Sequence, residues 1–381
     1  MNDGNVKLWL YLTIRTGISK ARLSSLYKHF KSSENIFAAS KEALLSSKIL
    51  SEEEAEKIIC PDFSYVEEYM GILNINRVKL LTIESPDYPE MLLDISNPPL
   101  VLYCRGNYID LNKALCIAFV GTRNPTPYGR RMTYSIARGL CQKGFVIVSG
   151  MAQGIDAVSH KAAIDMGCPT VAFIASGVDI IYPRINAELF RAILKNGMVV
   201  SEYPLGTMPK NYYFPERNRL VAGVSRGVFV SEAGEKSGTS ITVSYGVSQG
   251  KDIFALPGNA DSPMSEMPNK LIKDGAYLVT EATDISCHYE ELYKDNLSYV
   301  SSFKKEGEII NLPPEENKAD IKIPEGKTDE ERVLNSLSSG GLSIDDISVL
   351  TKIKLEELNM MLLFLEMNGK IKSDNGIYYL L

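Results

Sequence analysis

The stretch CIAFVGTRNPTPYGR, residues 116–130, decides the fold. Its first five residues are apolar, as in a strand buried on both faces, and a turn rich in glycine and proline leads to a helix predicted to start near Arg130. The same order of apolar run, turn and helix repeats over residues 115–285, which indicates an α/β core with a mainly parallel sheet. The predicted strands are CIAFV (116–120), FVIVS (145–149), TVAFIAS (170–176), MVVSE (198–202), GVFVSE (227–232) and DIFALPG (252–258).

Other modules flank this core. Short amphipathic helices are predicted from residue 6 to about 70, and a proline-rich connector follows at 85–107. The pattern after residue 328 predicts three helices and a hairpin that turns at Asp-Asn-Gly, which together make a winged helix. We therefore predict a helical module at 1–80, the core at 81–292, an acidic linker at 293–327 and a winged helix at 328–381.

Composition excludes several classes of protein. No apolar run approaches the ~18 residues that span a bilayer, and the start MNDGNVKLWL lacks the basic region of a signal peptide. The six cysteines are scattered without a CxxC pair, and the chain has only three histidines. A disulfide framework and a zinc site are therefore not expected, Cys116 and Cys141 are predicted to be buried thiols, and a cytoplasmic location is expected.

The net charge of −6 is unevenly distributed. Residues 281–331 carry a local balance of −8, which leaves the remainder about neutral. Residues 111–155 hold six lysines and arginines without one acid, and residues 203–231 hold four against a single glutamate. Two stretches depleted of acids predict an anion-binding surface, and chance clustering on a solvated face is the alternative.

Two turns at predicted strand ends have the small residues that a phosphate-binding loop needs. Gly121-Thr122-Arg123 follows the first strand, and Ser149-Gly150 and Gly154 follow the second. Small residues let backbone N–H groups approach a phosphate, and Arg123 adds a planar cation. The GxGxxG and GxxxxGK[ST] patterns are absent, so neither a dinucleotide cofactor nor a P-loop is expected.

Ser149, Asp156 and His160 could form a hydrolase triad, but the pattern does not favour one. Asp156 and His160 are four residues apart on one predicted helix, which favours a local pair, and no GxSxG elbow presents the serine. Structural or ligand-orienting roles are therefore expected.

The segment PKNYYFPERNR, residues 209–219, is the most specific signal for binding. It places three aromatic residues among three cations ahead of a helix predicted to begin near Asn218. Aromatic rings stack on unpaired bases while lysine and arginine hold the backbone. The alternative is a loop whose aromatic residues fill the edge of the core and whose arginines, Arg217 and Arg219, brace neighbouring loops.

Seven ordered blocks resemble the signature of the DNA-processing A (DprA/Smf) family. They are VGTRNPTPYG, SGMAQGID with the later His160, SGVDIIYP, VVSEYPLGTMP, FPERNR, SEAGEKSGTS and ALPGN. The resemblance covers residues 86–280 and implies an extended Rossmann-like core, an N-terminal SAM-like or helix-hairpin-helix-like module and a C-terminal winged helix. It implies a non-enzymatic protein that binds single-stranded DNA, protects it and loads RecA recombinase during natural transformation. A homodimer is expected, with single-strand-binding protein as a further candidate partner, and without cofactor, metal or membrane.

The candidate DNA-binding residues lie in the two turns, the basic segment and the SEAGEKSGTS block. They are Gly121, Thr122, Arg123, Arg130, Ser149, Gly150, Gly154, Lys210, Phe214, Arg217, Asn218, Arg219, Ser237 and Gly238. No catalytic residue is assigned.

The sequence departs from the family pattern at three places. Met267-Pro268 replaces an expected glycine before Asn269, and Ser19 stands where a DNA-gripping helix-hairpin-helix has a second glycine. The winged helix has nine acids and five bases, with Glu356 and Glu357 on its presumed recognition helix. Because acids repel phosphate, a protein-contact or spacer role is expected there rather than groove reading.

A Rossmann hydrolase acting on nucleoside monophosphates is the enzyme alternative. Such enzymes carry PGGxGTxxE, whereas residues 233–242 read AGEKSGTSIT and place Thr242 at the glutamate position. The main proton-transfer group would then be missing. A transcription regulator that binds duplex DNA is disfavoured by the acidic winged helix.

Overall fold

Six short helices form the beginning of the chain. The computed structural model describes residues 3–235, 237–306, 328–337, 342–353, 355–374 and 377–380. The helices are α1 (Asp3–Ile14), α2 (Lys20–Phe30), α3 (Ser33–Ala38), α4 (Lys41–Ser46), α5 (Glu52–Ile59) and α6 (Ser64–Ile75). Ser32, Ser40 and Ser51 cap α3, α4 and α5 by accepting hydrogen bonds from backbone N–H groups. The short amphipathic helices predicted for residues 6 to about 70 are therefore present.

The core alternates strands and helices as predicted. Its elements are β1 (Val78–Thr82), β2 (Val101–Gly106), β3 (Cys116–Val120), α7 (Pro127–Gln142), β4 (Val146–Ser149), α8 (Ile155–Asp165), β5 (Thr170–Phe173), α9 (Ala187–Asn196), β6 (Met198–Ser201), α10 (Tyr213–Gly223), β7 (Gly227–Val230), α11 (Thr239–Ser248), β8 (Asp252–Ala255), α12 (Glu266–Lys273), β9 (Tyr277–Leu278), α13 (Thr283–Ser286) and α14 (Lys294–Glu306). All six predicted strands are present, so the α/β class is confirmed.

In the described residues, the nine core strands form one sheet in the order β1-β2-β6-β5-β4-β3-β7-β8-β9. Pairing is parallel except at β1–β2 and β2–β6. The chain moves outward from β3 through β4, β5 and β6 and then returns to β7 on the other side of β3. The sheet therefore has a topological switch point between β3 and β7, where open α/β sheets bind their ligands at the carboxyl ends of the strands.

Helices bury the central strands on both faces. Every residue of β3, β4, β5 and β7 is buried. On one face, Ile117 and Phe119 pack with Ile136 and Leu140 of α7 and with Ala162 of α8. This double burial explains why these strands are runs of apolar residues instead of alternating sequences.

Three strands of the main sheet lie in segments where sequence reasoning placed none, namely the short β9 and the two antiparallel strands β1 and β2. β2 falls inside the predicted connector at 85–107, and β1 spans the predicted domain boundary at residue 80. The register places Val78 opposite Arg105 and Thr82 opposite Val101. The connector thus contributes β2 to the sheet, and residues 78–80, which were predicted to belong to the helical module, are part of β1.

The predicted linker also begins with structure. α14 occupies residues 294–306, Val300 is buried, and the Asp110 backbone N–H donates to the Tyr299 hydroxyl at 3.0 Å. The prediction of a linker from residue 293 is therefore wrong for these residues, because the apolar side chains of this polar segment still pack on the core. The remainder of the predicted linker, 307–327, lies outside the described residues.

Residue contacts divide the chain into two units, 1–181 with 188–309 and 182–187 with 310–381. The smaller unit contains α15 (Asp329–Leu337), β10 (Leu342–Ser343), α16 (Ile344–Thr351), α17 (Leu355–Met367), β11 (Ile371–Asp374) and β12 (Ile377–Leu380). Its sheet has the order β10-β12-β11, and Val333, Ile347, Leu358, Leu362 and Ile371 belong to its core. The predicted winged helix is confirmed, with β10 as an additional strand.

The Met267-Pro268 departure is accommodated at the start of α12. Both residues are buried in the first turn of the helix, where a proline removes no intrahelical hydrogen bond. The Asn269 side chain then donates to the Gly258 carbonyl at 3.0 Å and accepts from the Gly258 N–H at 3.2 Å.

Candidate nucleic-acid interface

The turns after β3, β4, β6 and β7 meet at the carboxyl edge of the sheet, beside the switch point. α7 begins at Pro127 rather than near Arg130, because the Thr126 hydroxyl accepts from the Gly129 N–H at 3.1 Å and proline follows at the first helical position. α10 begins at Tyr213 rather than near Asn218, so the aromatic residues of the basic segment lie on its first turn.

The two glycine-bearing turns contact each other. A Cβ on Gly121 would lie 2.6 Å from Cγ1 of Ile155, and one on Gly154 would lie 2.3 Å from the Thr122 carbonyl oxygen. Gly154 also has a φ of +78°, which favours glycine. These glycines are required by the close approach of the turns, and the Ile155 N–H completes the contact by donating to the Thr122 carbonyl at 3.2 Å.

Glu232 holds the first turn against β7. Its buried carboxylate accepts hydrogen bonds from the Thr126 N–H at 2.8 Å and the Thr126 hydroxyl at 2.6 Å, and its carbonyl accepts from the Thr122 N–H at 2.7 Å. Sequence reasoning did not assign this role, although an acid directly after a buried strand is a detectable signal. These hydrogen bonds fix the position of the turn relative to the end of β7.

Arg217 braces the second turn from inside the protein. Its side chain is buried, and Nη1 donates to the carbonyls of Gly150 and Phe173. Asp156 accepts from the N–H groups of Gly150 at 3.1 Å and Ala152 at 3.2 Å. Burial raises the pKa of Asp156, which nearby Arg217 opposes, and burial lowers the pKa of Arg217 to about 10.

His160 does not pair with Asp156, so the predicted helical pair is wrong. Its Nδ1 lies 2.8 Å from the Thr170 hydroxyl, and its Nε2 has no hydrogen-bond partner in the described residues. Because the Thr170 hydroxyl donates to the Ile147 carbonyl at 2.7 Å, it accepts at Nδ1, and the proton therefore resides on Nδ1. Burial lowers the pKa of His160 to about 3, so the ring is neutral.

Four candidate contacts turn inward or hold the scaffold. Ser149 is fully buried and donates to the Phe119 carbonyl at 2.6 Å. Arg219 is buried and donates from Nη2 to Oε1 of Glu202 at 2.6 Å, and the Asn218 amide oxygen accepts from Nε of Arg217 at 3.2 Å. Ser149 has this partner because β4 is buried, and the side chains on α10 have theirs because that helix packs into the core. We therefore remove Ser149, Arg217 and Arg219 from the residues proposed to contact the DNA backbone and treat Asn218 as a support of Arg217.

Exposed cations and rings come together above this scaffold. Cζ of Arg123 lies 5.9 Å from the centre of the Phe214 ring, and Nζ of Lys210 lies 5.8 Å from the Tyr213 ring and 6.0 Å from the Tyr212 ring. Tyr212 is 57% exposed and was not chosen from the sequence. We call Arg123, Lys210, Tyr212, Tyr213 and Phe214 the basic-aromatic surface.

The cations of this surface are unpaired. Within the part of the chain that the structure describes, neither Arg123 nor Lys210 forms an ion pair, whereas Arg219 does. Both residues are exposed, so their charge is available to a phosphate.

The other candidates lie around the edge. Arg130 is exposed on α7, and Gly238 is exposed with nothing within 4 Å of a Cβ placed on it. Ser237 is half-buried, and its hydroxyl accepts from the Thr239 N–H at 3.2 Å at the start of α11. Arg130 and Gly238 therefore remain accessible, while Ser237 supports a helix start.

The described residues contain neither a candidate metal site nor a candidate membrane span. No cluster of three or more histidine, cysteine, aspartate or glutamate side chains there could hold a metal ion. No helix in the same residues is long and apolar enough to cross a bilayer. Cys116 and Cys141 are buried, as predicted.

Comparison with known proteins adds a family match. A family model for DNA recombination-mediator protein A matches residues 79–290, and a model for the DprA winged helix domain matches residues 317–376. The chain is 41% identical over 226 residues to DNA processing protein DprA of Bacillus subtilis, which covers 59% of this chain and 75% of that protein. It is 30% identical over 409 residues to Protein Smf of Synechocystis, across 100% of this chain and 99% of that protein.

Two solved structures resemble the chain. DNA processing protein A from Streptococcus pneumoniae superposes with a TM-score of 0.66 at 30% identity, over 74% of this chain and 98% of that one. A structure of the Helicobacter pylori protein, which describes its single-stranded DNA binding mode, superposes with a TM-score of 0.52 at 31% identity, over 57% of this chain and 98% of that one.

Proposed function

The chain belongs to the DNA recombination-mediator protein A (DprA/Smf) family, and from this premise we propose that it binds single-stranded DNA along the basic-aromatic surface. The observation that carries the proposal is the position of unpaired Arg123 and Lys210 beside the rings of Phe214, Tyr213 and Tyr212. The binding mode described for the Helicobacter pylori relative supports the same class of ligand.

The chemistry of the surface favours a single strand over a duplex. Exposed cations attract the phosphate backbone without reading sequence. Aromatic rings stack on bases that are unpaired, and a duplex hides those faces. The preference for single strands therefore comes from the rings, while the cations supply most of the salt-dependent affinity.

We further propose that the protein acts on DNA without catalysing a reaction. The ionisable groups nearest the site have structural partners: Glu232 holds Thr126, Asp156 holds Gly150 and Ala152, and burial keeps His160 neutral. Thr242, at the position of the hydrolase glutamate, is buried on α11. These roles favour a binding protein over the nucleoside monophosphate hydrolase.

The purpose of binding, in this proposal, is delivery of the strand. The chain protects single-stranded DNA and loads RecA recombinase onto it during DNA uptake and recombination, as a homodimer in the cytoplasm. Single-strand-binding protein is a candidate third component. Family membership supports this role, since the matched model describes a recombination mediator.

Fluorescence anisotropy with labelled oligo-dT and a duplex of equal length tests the proposal. We expect the single strand to bind more tightly, and Arg123→Ala or Lys210→Ala to reduce the slope of log affinity against log salt by about 0.7 each. Lys161→Ala is the matched control, because Lys161 is also exposed, on α8, but pairs with Asp165 at 2.9 Å. Unchanged slopes in both variants would contradict the assignment.

A second assay tests delivery to RecA. We expect the wild-type protein to shorten the lag before RecA filaments form on a strand covered with single-strand-binding protein, and the Arg123→Ala/Lys210→Ala double variant to shorten it less. Binding of the strand with no effect on the lag would limit the function to protection.

A further inference from the structure

A cavity of about 90 Å³ lies where the N-terminal helices meet the sheet. Apolar side chains from α2, β2 and the turn after β6 form most of its wall, and Ser24, Lys20, Tyr203, Glu202 and Arg219 also line it. Lys20 is half-exposed, so the cavity has its mouth at the surface. It has room for on the order of six water molecules, or for one ring of a heterocycle.

Two buried polar atoms of opposite character remain unsatisfied at this cavity. Among the described residues, Nη1 of Arg219 and Oε2 of Glu202 have no hydrogen-bond partner, although their side chains are only 9% and 5% exposed. Nζ of Lys20 lies 3.6 Å from Oε2, within ion-pair distance but beyond hydrogen-bond distance. Since an unmet buried donor or acceptor is destabilising, the pair points to a ligand that supplies both partners.

The charges around the cavity select the chemistry of that ligand. An anion would meet Glu202, and a cation would meet Arg219 and Lys20. A neutral, flat molecule with an acceptor beside a donor satisfies both residues, and nucleobases present such an edge. We propose that the cavity binds one pyrimidine base, because the volume suits a single ring better than the two rings of a purine.

The cavity and the basic-aromatic surface are connected through a pair of packed rings. The Tyr203 ring lines the cavity and lies 4.0 Å from the Tyr213 ring, centre to centre. The ligand therefore has two possible sources, a base turned out of a strand bound at this neighbouring surface and a free pyrimidine nucleoside, which presents the same edge. Binding of a base from a strand rests on the proposed function, whereas binding of a free nucleoside does not.

Calorimetric titration of the full chain with thymidine and with deoxyguanosine tests the site. We expect saturable binding of thymidine, at least tenfold weaker binding of deoxyguanosine, loss of binding in Ser24→Leu and at least a tenfold weaker affinity in Glu202→Gln. Lys7→Ala, which removes a surface ion pair with Glu67, is the matched control in the N-terminal helices. Melting curves of all variants establish that they are folded.

Oligonucleotides separate the two sources. If the base belongs to the strand, Ser24→Leu and Glu202→Gln should bind oligo-dT at least tenfold more weakly than the wild-type protein does. Their affinity for an abasic strand of equal length should equal that of the wild-type protein. Binding of thymidine without binding of any oligonucleotide would support the pyrimidine site and refute the proposed function. If the wild-type protein does not bind thymidine and neither variant alters its affinity for oligo-dT, the pyrimidine site is refuted and the proposed function is not. Equal affinity for deoxyguanosine and thymidine would overturn the assignment to pyrimidines.

Discussion

The basic-aromatic surface of the core and the exposed face of α17 both present aromatic and apolar side chains to solvent. On α17, Met360, Leu363, Phe364 and Met367 are between 61% and 80% exposed and recur at helical spacing. On the core, Tyr212 is 57% exposed and Phe214 is half-buried. The two regions differ in charge, since residues 203–231 hold four cations and one acid while residues 328–381 hold five cations and nine acids.

This difference shows that exposed rings alone do not define a nucleic-acid site. Rings supply stacking, but a strand stays near them only where unpaired cations neutralise its phosphates. The core places Arg123 over Phe214, whereas α17 carries exposed Glu357 and Glu366 along its apolar face. We therefore expect the core to bind the strand and the winged helix not to bind it.

The largest expected difference between the two units is the loss of free energy of unfolding at acid pH. Burial lowers the pKa of His160 to about 3, so the unfolded chain binds more protons than the folded one between pH 3 and 6.5. The contribution of neutral His160 to the free energy of unfolding is therefore fully present above pH 6.5. Between pH 6.5 and 3 it decreases by about 1.4 kcal/mol for each unit by which the pH falls. Residues 328–381 contain no histidine, so protonation of histidine lowers the free energy of unfolding of the core and not that of the winged helix.

Urea unfolding followed by the fluorescence of Trp9 measures this loss. Trp9 is the only tryptophan of the chain and is buried in the N-terminal helices, which belong to the larger unit. In His160→Gln, which keeps a donor for Thr170, the free energy of unfolding should fall less between pH 6.5 and pH 5. Equal losses in the two proteins would mean that His160 is not the group that titrates.

Much of the core was predictable because its signals are local. Each buried strand is an apolar run, and each turn at the carboxyl edge carries the small residues that close approach requires, as at Gly121 and Gly154. The choice of Arg123, Lys210 and Phe214 depended on the same local pattern. The structure brings these three together.

The rest depended on contacts between distant segments. The sequence does not reveal that α10 starts at Tyr213 and so turns Arg217 and Arg219 inward, where carbonyls and Glu202 receive them. The alternative in which these arginines brace loops is the one that the structure supports. Val300 is similarly buried in a segment whose composition is that of a linker, because burial follows individual side chains rather than the average of a segment.

Replacing one phenylalanine in each unit tests the comparison directly. Phe214→Ala should weaken binding of oligo-dT by about 1–3 kcal/mol if that ring stacks on a base. Phe364→Ala removes an equally large ring that is 61% exposed on α17 and should leave binding unchanged. Anisotropy titrations measure both, and melting curves detect whether Phe214 instead stabilises the core. Equal losses of affinity in the two variants would refute the distinction between the units.

Removal of the winged helix should have the smallest effect on binding. A chain that ends at residue 306 keeps α14 and all nine described strands of the main sheet, and with them the basic-aromatic surface. We expect it to bind oligo-dT within about twofold of the full chain at physiological salt, and slightly more tightly at low salt, because the acids it lacks repel phosphate and salt screens that repulsion. The measurement is an anisotropy titration at two salt concentrations, with circular dichroism to show that the shortened protein is folded. A folded protein that binds much more weakly than the full chain would place part of the site in the C-terminal unit, and the charge difference between the two regions would then not decide where the strand binds.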